Sequence, residues 1–202
     1  MKLYDMELSG NCYKVRLLCS LLEVAYQRVP ISLKDGEAET EEFLKLNPRA
    51  QVPVLDDDGL VIWDSIAILS YLCRKADSEL LPTDAVPLAR VMQWLAVSEN
   101  EVLYGLARAR AINKFGRNFH RDTTRVMAID ALKLIDGQLQ NQDWLAGDRF
   151  TIADIACYPY VALAHEGDID IARYPAIQTW IKHLRAVPGY IGMPGMEATP
   201  LD

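Results

Sequence analysis

Two kinds of apolar pattern divide the chain: short strand-like runs confined to its first third, and apolar residues at helical spacing throughout. Lys2-Leu3-Tyr4 predicts a short strand, and Val15, Leu17, Leu18, Leu21 and Leu22 predict a helix behind it. Gln27 to Leu33 is a second strand. Strand, helix and strand this close together imply a right-handed crossover and a parallel pair. Phe43-Leu44-Lys45-Leu46 predicts a short helix stopped by Asn47-Pro48. Gln51-Val52-Pro53-Val54-Leu55-Asp56 is a third strand entered through a proline. Asp56 to Gly59 predicts a hairpin, and Leu60-Val61-Ile62 returns from it. Asp64-Ser65 then opens an amphipathic helix through Ile66, Ala67, Leu69, Tyr71 and Leu72.

Beyond residue 75 the strand pattern stops. Residues 76–87, with Leu80-Leu81-Pro82 and Pro87, form a linker between an α/β unit, 1–75, and an all-helical unit, 88–202. One long helix runs from Leu88 through Leu106 and is interrupted at Phe115-Gly116-Arg117-Asn118; Val126 to Leu139 carries the next. Thr151 and Asp154 spell a capping box with Phe150 and Ile155 as its hydrophobic staple, a structural helix start with no catalysis assigned to it. Tyr174-Pro175 opens a last helix through Leu184, and the Gly/Pro/Met tail after Pro188-Gly189 is expected to be loosely ordered.

Charge and composition narrow the function. A formal net charge of −7 argues against nucleic acid or an anionic membrane as principal partner. No apolar run approaches a membrane span, and the N-terminus lacks a signal-peptide core, so a cytoplasmic location is the expectation. The four cysteines, at 12, 19, 73 and 157, make no CxxC pair, and the three histidines are far apart, so no metal site is expected.

Candidate chemistry gathers at Ser9-Gly10-Asn11-Cys12-Tyr13-Lys14-Val15-Arg16, where a hydroxyl and a thiol sit beside the unpaired amides of a helix start. Those amides favour an anion, including a thiolate. The plainer alternatives are a capping serine and a small buried cysteine. Val52-Pro53 reads either as an ordinary trans proline opening an edge strand or as a cis bond turning the backbone of Val52 outward. The amides of Ser65 and Ile66 form a second potential anion site, against simple capping by Asp64. Arg108, Arg110, Lys114, Arg117, Arg121 and Arg125 make a basic stretch, read first as a solvated face and second as the lining of a pocket for an acidic co-substrate.

Four segments in this order carry a resemblance over nearly the whole chain: residues 9–16, 47–55 and 64–72, and Thr151-Ile152-Ala153-Asp154. The chain resembles a cytosolic glutathione transferase of the bacterial, serine-type, theta-like kind with a beta-class-like cysteine. The resemblance implies a thioredoxin-like N-terminal domain followed by an all-α helical C-terminal bundle. It also implies that glutathione attacks a small electrophile in detoxification chemistry, without a metal, in a homodimer. It makes Ser9, Asn11 and Cys12 the catalytic candidates, Ser9 by hydrogen-bonding the glutathione sulfur. Lys34, Gln51, Val52, cis-Pro53, Asp64, Ser65 and Glu99 become the glutathione-binding candidates, with Glu99 reaching the neighbouring subunit. Tyr104, Arg108 and Phe115 are expected to shape the co-substrate pocket. Two departures stand out: no tyrosine ends the first strand, and Ala38-Glu39 replaces the His-Lys pair that holds the glycine carboxylate in similar bacterial members, leaving Lys34 or Arg49 to compensate. A glutathione-linked disulfide or peroxide reductase using Cys12, and a non-catalytic binding module, are the competing functions.

Overall fold

A four-stranded sheet ordered β2-β1-β3-β4 organises the first 75 residues of the computed structural model, which describes residues 1–201. Strand β1 (Lys2–Asp5) lies parallel to β2 (Gln27–Pro30) and antiparallel to β3 (Val54–Asp57), which turns through Asp58-Gly59 into β4 (Leu60–Trp63). Both turn residues have positive φ, the geometry the Asp-Gly pair favours. β2 stops short of Leu33 because β1 ends at Asp5, whose carbonyl accepts the last bond, from Ile31 N–H at 2.8 Å. Helices α1 (Gly10–Leu21), α2 (Glu41–Leu46) and α3 (Ser65–Lys75) complete this unit. α2 begins two residues before Phe43, since Thr40 Oγ1 accepts Phe43 N–H at 3.3 Å and caps it.

The helical unit contains α4 (Ala85–Val97), α5 (Arg108–Phe115), α6 (Arg121–Leu139), α7 (Ile152–Ala162) and α8 (Pro175–Arg185). The long helix read from the sequence is not uniform: Ser98–Ala107, between α4 and α5, winds with the wider π-helical turns. It ends at Gly116, whose left-handed φ of 63° closes α5. Every residue of α7 is buried, and this helix packs on α1, α3 and α4, joining the two units. Its capping box is present: Thr151 Oγ1 accepts Ala153 N–H and Asp154 Oδ2 accepts Thr151 N–H. Phe150 lies edge-on to Trp144, with ring centroids 5.0 Å apart.

The expectation of a loose tail is overturned. Met193 and Met196 are buried, Tyr13 Oη donates to Ile191 O at 2.6 Å, and Arg185 donates to Met196 O and Thr199 Oγ1. The methionines join the core, and the carbonyls of Ile191 and Met196 find donors on α1 and α8, long-range pairings a local composition argument does not see. Among the described residues no helix is long and apolar enough to cross a membrane, and no group of His, Cys, Asp and Glu could hold a metal ion.

Candidate functional site

Ser9 ends the loop from β1 and caps α1: its Oγ accepts Cys12 N–H at 3.3 Å. Two guanidinium groups hold the three carbonyls before it. Arg16 donates to Met6 O and Glu7 O, while Arg110, from α5, donates to Leu8 O at 2.8 Å. Arg16 also pairs with the fully buried Asp5, which Arg28 contacts from β2. The serine thus stands on a fixed turn. Its hydroxyl accepts from the helix start, which leaves its proton to donate outward. Gly10 lets α7 close over this turn, since a Cβ there would stand 2.7 Å from the Tyr160 ring.

Cys12 departs from the thiolate expectation. Its side chain is fully buried among Ala38, Phe43, Val52 and Val54, with Met6 N–H donating to its sulfur at 3.4 Å. Burial first, then the neighbouring Asp5 carboxylate, push its thiol up to about 12. The helix-start environment that would lower it is outweighed by desolvation. Cys19, Cys73 and Cys157 are buried as well.

A narrow polar cleft brings together residues 11, 51–53 and 64–65 with Asn47 and Arg49. The Val52-Pro53 bond is cis, and Val52 lies beyond the last β1–β3 pair, Tyr4 with Val54. Asn47 bridges the segment by donating to Gln51 O at 2.7 Å. Asp64 takes the uncommon φ of 80° and accepts Ile66 N–H at 2.9 Å, so the predicted anion site at this helix loses the Ile66 amide to capping. Ser65 faces the cleft from the same turn, and Arg49 approaches Asp64 within 3.4 Å. Asn11 Oδ1 is buried there without a hydrogen-bond partner, an acceptor left for a ligand. Ala38 is buried and Glu39 exposed on the short helical turn Glu37–Glu39.

Ser9 lines a separate cavity of about 690 Å³ between the two units, with Lys34 on one wall and Arg110, Lys114, Phe115 and Arg117 on the other. This corrects the solvated-face reading for Arg110, Lys114 and Arg117, while Arg121 and Arg125 are exposed as that reading has them. Arg110 is buried and pairs with Glu166, which Lys114 also contacts; these two and Arg117 face the cavity. Of the expected co-substrate trio only Phe115 lines it. Arg108 stacks between the rings of Tyr104 and Phe119, 4.0 and 4.6 Å from their centroids, and neither Tyr104 nor Arg108 belongs to the wall. Their neighbours in the helix turn inward instead, a matter of helix phase set by packing. Arg110 is a wall residue that the local sequence does not single out. Its only local signal was membership of the basic stretch.

Glu99 lies at the start of the π-helical segment, with Oε1 3.5 Å from Nζ of the fully buried Lys14, which also donates to Ser98 Oγ at 3.2 Å. Burial lowers the Lys14 pKa and Glu99 opposes that shift. The carboxylate is thus engaged within its own chain while remaining about one-third exposed.

Comparison with known proteins accounts for this arrangement. The model of the glutathione S-transferase N-terminal domain matches residues 1–74, and that of the C-terminal domain matches residues 125–188. Glutathione S-transferase D7 of Anopheles gambiae is 30% identical over 187 residues, covering 89% of this chain and 84% of that protein. The disulfide-bond oxidoreductase YfcG of Escherichia coli is 28% identical, with 88% and 87% covered. The crystal structure of a glutathione S-transferase from Pseudomonas fluorescens superposes with a TM-score of 0.91 at 33% identity, over 96% of this chain and 98% of that one. With its thioredoxin-like sheet unit and helical second unit, the chain belongs to the glutathione S-transferase family.

Proposed function

We propose that this chain joins glutathione to a small electrophile, with Ser9 holding the sulfur as thiolate. The observation that carries this reading is the position of the Ser9 hydroxyl. It is fixed by the Cys12 amide and by Arg16 and Arg110 behind it, and it lines the large cavity two residues before Asn11, which lines the polar cleft. A hydroxyl donating to sulfur stabilises the charged form and lowers the thiol pKa, which raises the population of nucleophile at neutral pH. The thiol proton leaves to solvent. The sulfur then forms a bond to the electrophilic carbon, whose leaving group departs with its electron pair or whose neighbouring atom takes a proton.

Glutathione is assigned one direction, from the narrow cleft into the large cavity. The γ-glutamyl end, with an ammonium and a carboxylate, meets Asp64, Ser65 and Arg49; the Val52 backbone and Asn11 Oδ1 serve the middle; Lys34 answers the glycine carboxylate in place of the absent His-Lys pair. Cys12 carries no step, its thiol being buried and pushed up. The serine-type subclass, a division into domains 1–75 and 88–202 with a linker at 76–87, a homodimer in which Glu99 stands near the partner's site, and a role in detoxification belong to the same reading. The four buried thiols suit the reducing cytoplasm. Calorimetric titration with reduced glutathione tests it: saturable binding is expected, and no heat at millimolar glutathione would sink it. Light scattering should give twice the chain mass of 22.7 kDa.

A further inference from the structure

The large cavity has a charge character opposite to that of the chain. The protein carries a formal net charge of −7, yet Lys34, Arg110, Lys114 and Arg117 line this one cavity and, among the described residues, no carboxylate side chain does. Glu166, set behind the wall, pairs with both Arg110 and Lys114, so one negative charge faces two positive ones. Arg110 Nη2 is buried with no hydrogen-bond partner among the described residues. Lys34 and Arg117 have no ion pair among the described residues. Beside Ser9, Gly10 and Tyr160, the rest of the lining is apolar or aromatic: Met6, Leu33, Ala107, Ala111 and Phe115.

Resting on the transferase reading, we propose that the electrophile accepted beside Ser9 carries a carboxylate, held by Lys114 and Arg117 while its carbon body lies against Phe115 and Met6. Glutathione accounts for only part of the positive charge. Its glycine carboxylate engages Lys34 on the sheet-side wall, which leaves the opposite wall with Glu166 alone against Arg110 and Lys114, and with Arg117 unpaired among the described residues. An acidic co-substrate neutralises that wall, and the same cations offset the repulsion between its carboxylate and the thiolate. A neutral electrophile of the same shape would leave Arg117 without an ion-pair partner and Lys114 sharing Glu166 with Arg110.

The test compares 4-chloro-3,5-dinitrobenzoate with its methyl ester. Both react alike: sulfur bonds to the ring carbon and chloride leaves with its electron pair. Calorimetry without glutathione reads the cavity alone. The acid is expected to bind about tenfold more tightly than the ester, the scale of one charge-assisted contact. The Lys114→Gln/Arg117→Gln double variant should lose that preference, and Arg117→Gln alone, at an exposed residue, should lose part of it. Equal affinities for acid and ester, or an unchanged ratio in both variants, would overturn the inference. Conjugation rates at millimolar glutathione separate it from the reading beneath it. Binding of the acid with no turnover of either compound overturns the transferase reading and leaves the anion preference standing. Faster conjugation of the ester than of the acid, after correction for their spontaneous rates, overturns the anion preference alone.

Discussion

Two helix starts in this protein use the same local device to opposite ends. At α7, Thr151 and Asp154 close a capping box in which every acceptor is used. Asp154 takes hydrogen bonds from Thr151 N–H and Oγ1–H on one oxygen and from Leu145 N–H and Trp180 Nε1–H on the other, at full burial. At α1, Ser9 makes one capping bond, to Cys12 N–H, and its hydroxyl remains on the wall of a cavity. The saturated start is a tie between the loop before α7 and α8. The unsaturated one is the candidate site. A cap becomes chemistry when the fold leaves one of its hydrogen-bonding valences for a ligand.

Replacing the saturated acid should have the largest effect. Asp154→Ala strands four buried donors, and denaturant unfolding should show a loss of about 3–5 kcal/mol; a loss below about 1 kcal/mol would show that these bonds do not hold α7 in place. Ser9→Ala should do the reverse. Its stability should fall by only about 1 kcal/mol, the usual worth of a cap. Its kcat/KM for conjugation should drop about 10–100-fold, with little change in glutathione affinity, because the lost bond is to the developing thiolate. Equal loss in rate and affinity would mean that Ser9 binds glutathione without activating it.

A third, smaller effect is in pH. Desolvation, the largest influence on Asp154, raises its carboxyl from the ordinary 3.8 to about 6, against the hydrogen bonds that lower it. Between those values the folded chain keeps a proton that the unfolded chain has released. The stability from this group is therefore complete at low pH and is lost as pH rises through about 6. Chemical denaturation from pH 4 to 7, compared with Asp154→Asn, should show wild type losing ground steadily over that interval, about 4 to 6; parallel curves would refute the shift. The smallest effect is expected at Cys12→Ala. Conjugation should stay within about threefold of wild type, since a buried thiol pushed up to about 12 offers no nucleophile at neutral pH. Abolished activity there, with Ser9→Ala still active, would return the chemistry to the cysteine.

The sequence by itself determined what short-range physics writes. Strand against helix periodicity fixed the β-α-β, hairpin and helical order, Asp58-Gly59 fixed the hairpin, Gly116 the end of α5, and Thr151 with Asp154 the start of α7. It also marked Ser9, Val52-Pro53 and Asp64-Ser65 as places where a backbone group or cap stands free of regular pairing. Tertiary structure alone decided which of these meet. Leu8 O finds Arg110 102 residues away, Glu166 finds Arg110 across 56, and the tail returns to Tyr13 across 178. Helix phase sent Arg110 and Lys114 to the cavity and Arg108 onto Tyr104, and burial turned the Cys12 environment from activating to insulating. Caps and turns depend on neighbours within a few residues. Charge pairing, desolvation and the walls of a cavity depend on what the rest of the fold brings beside them.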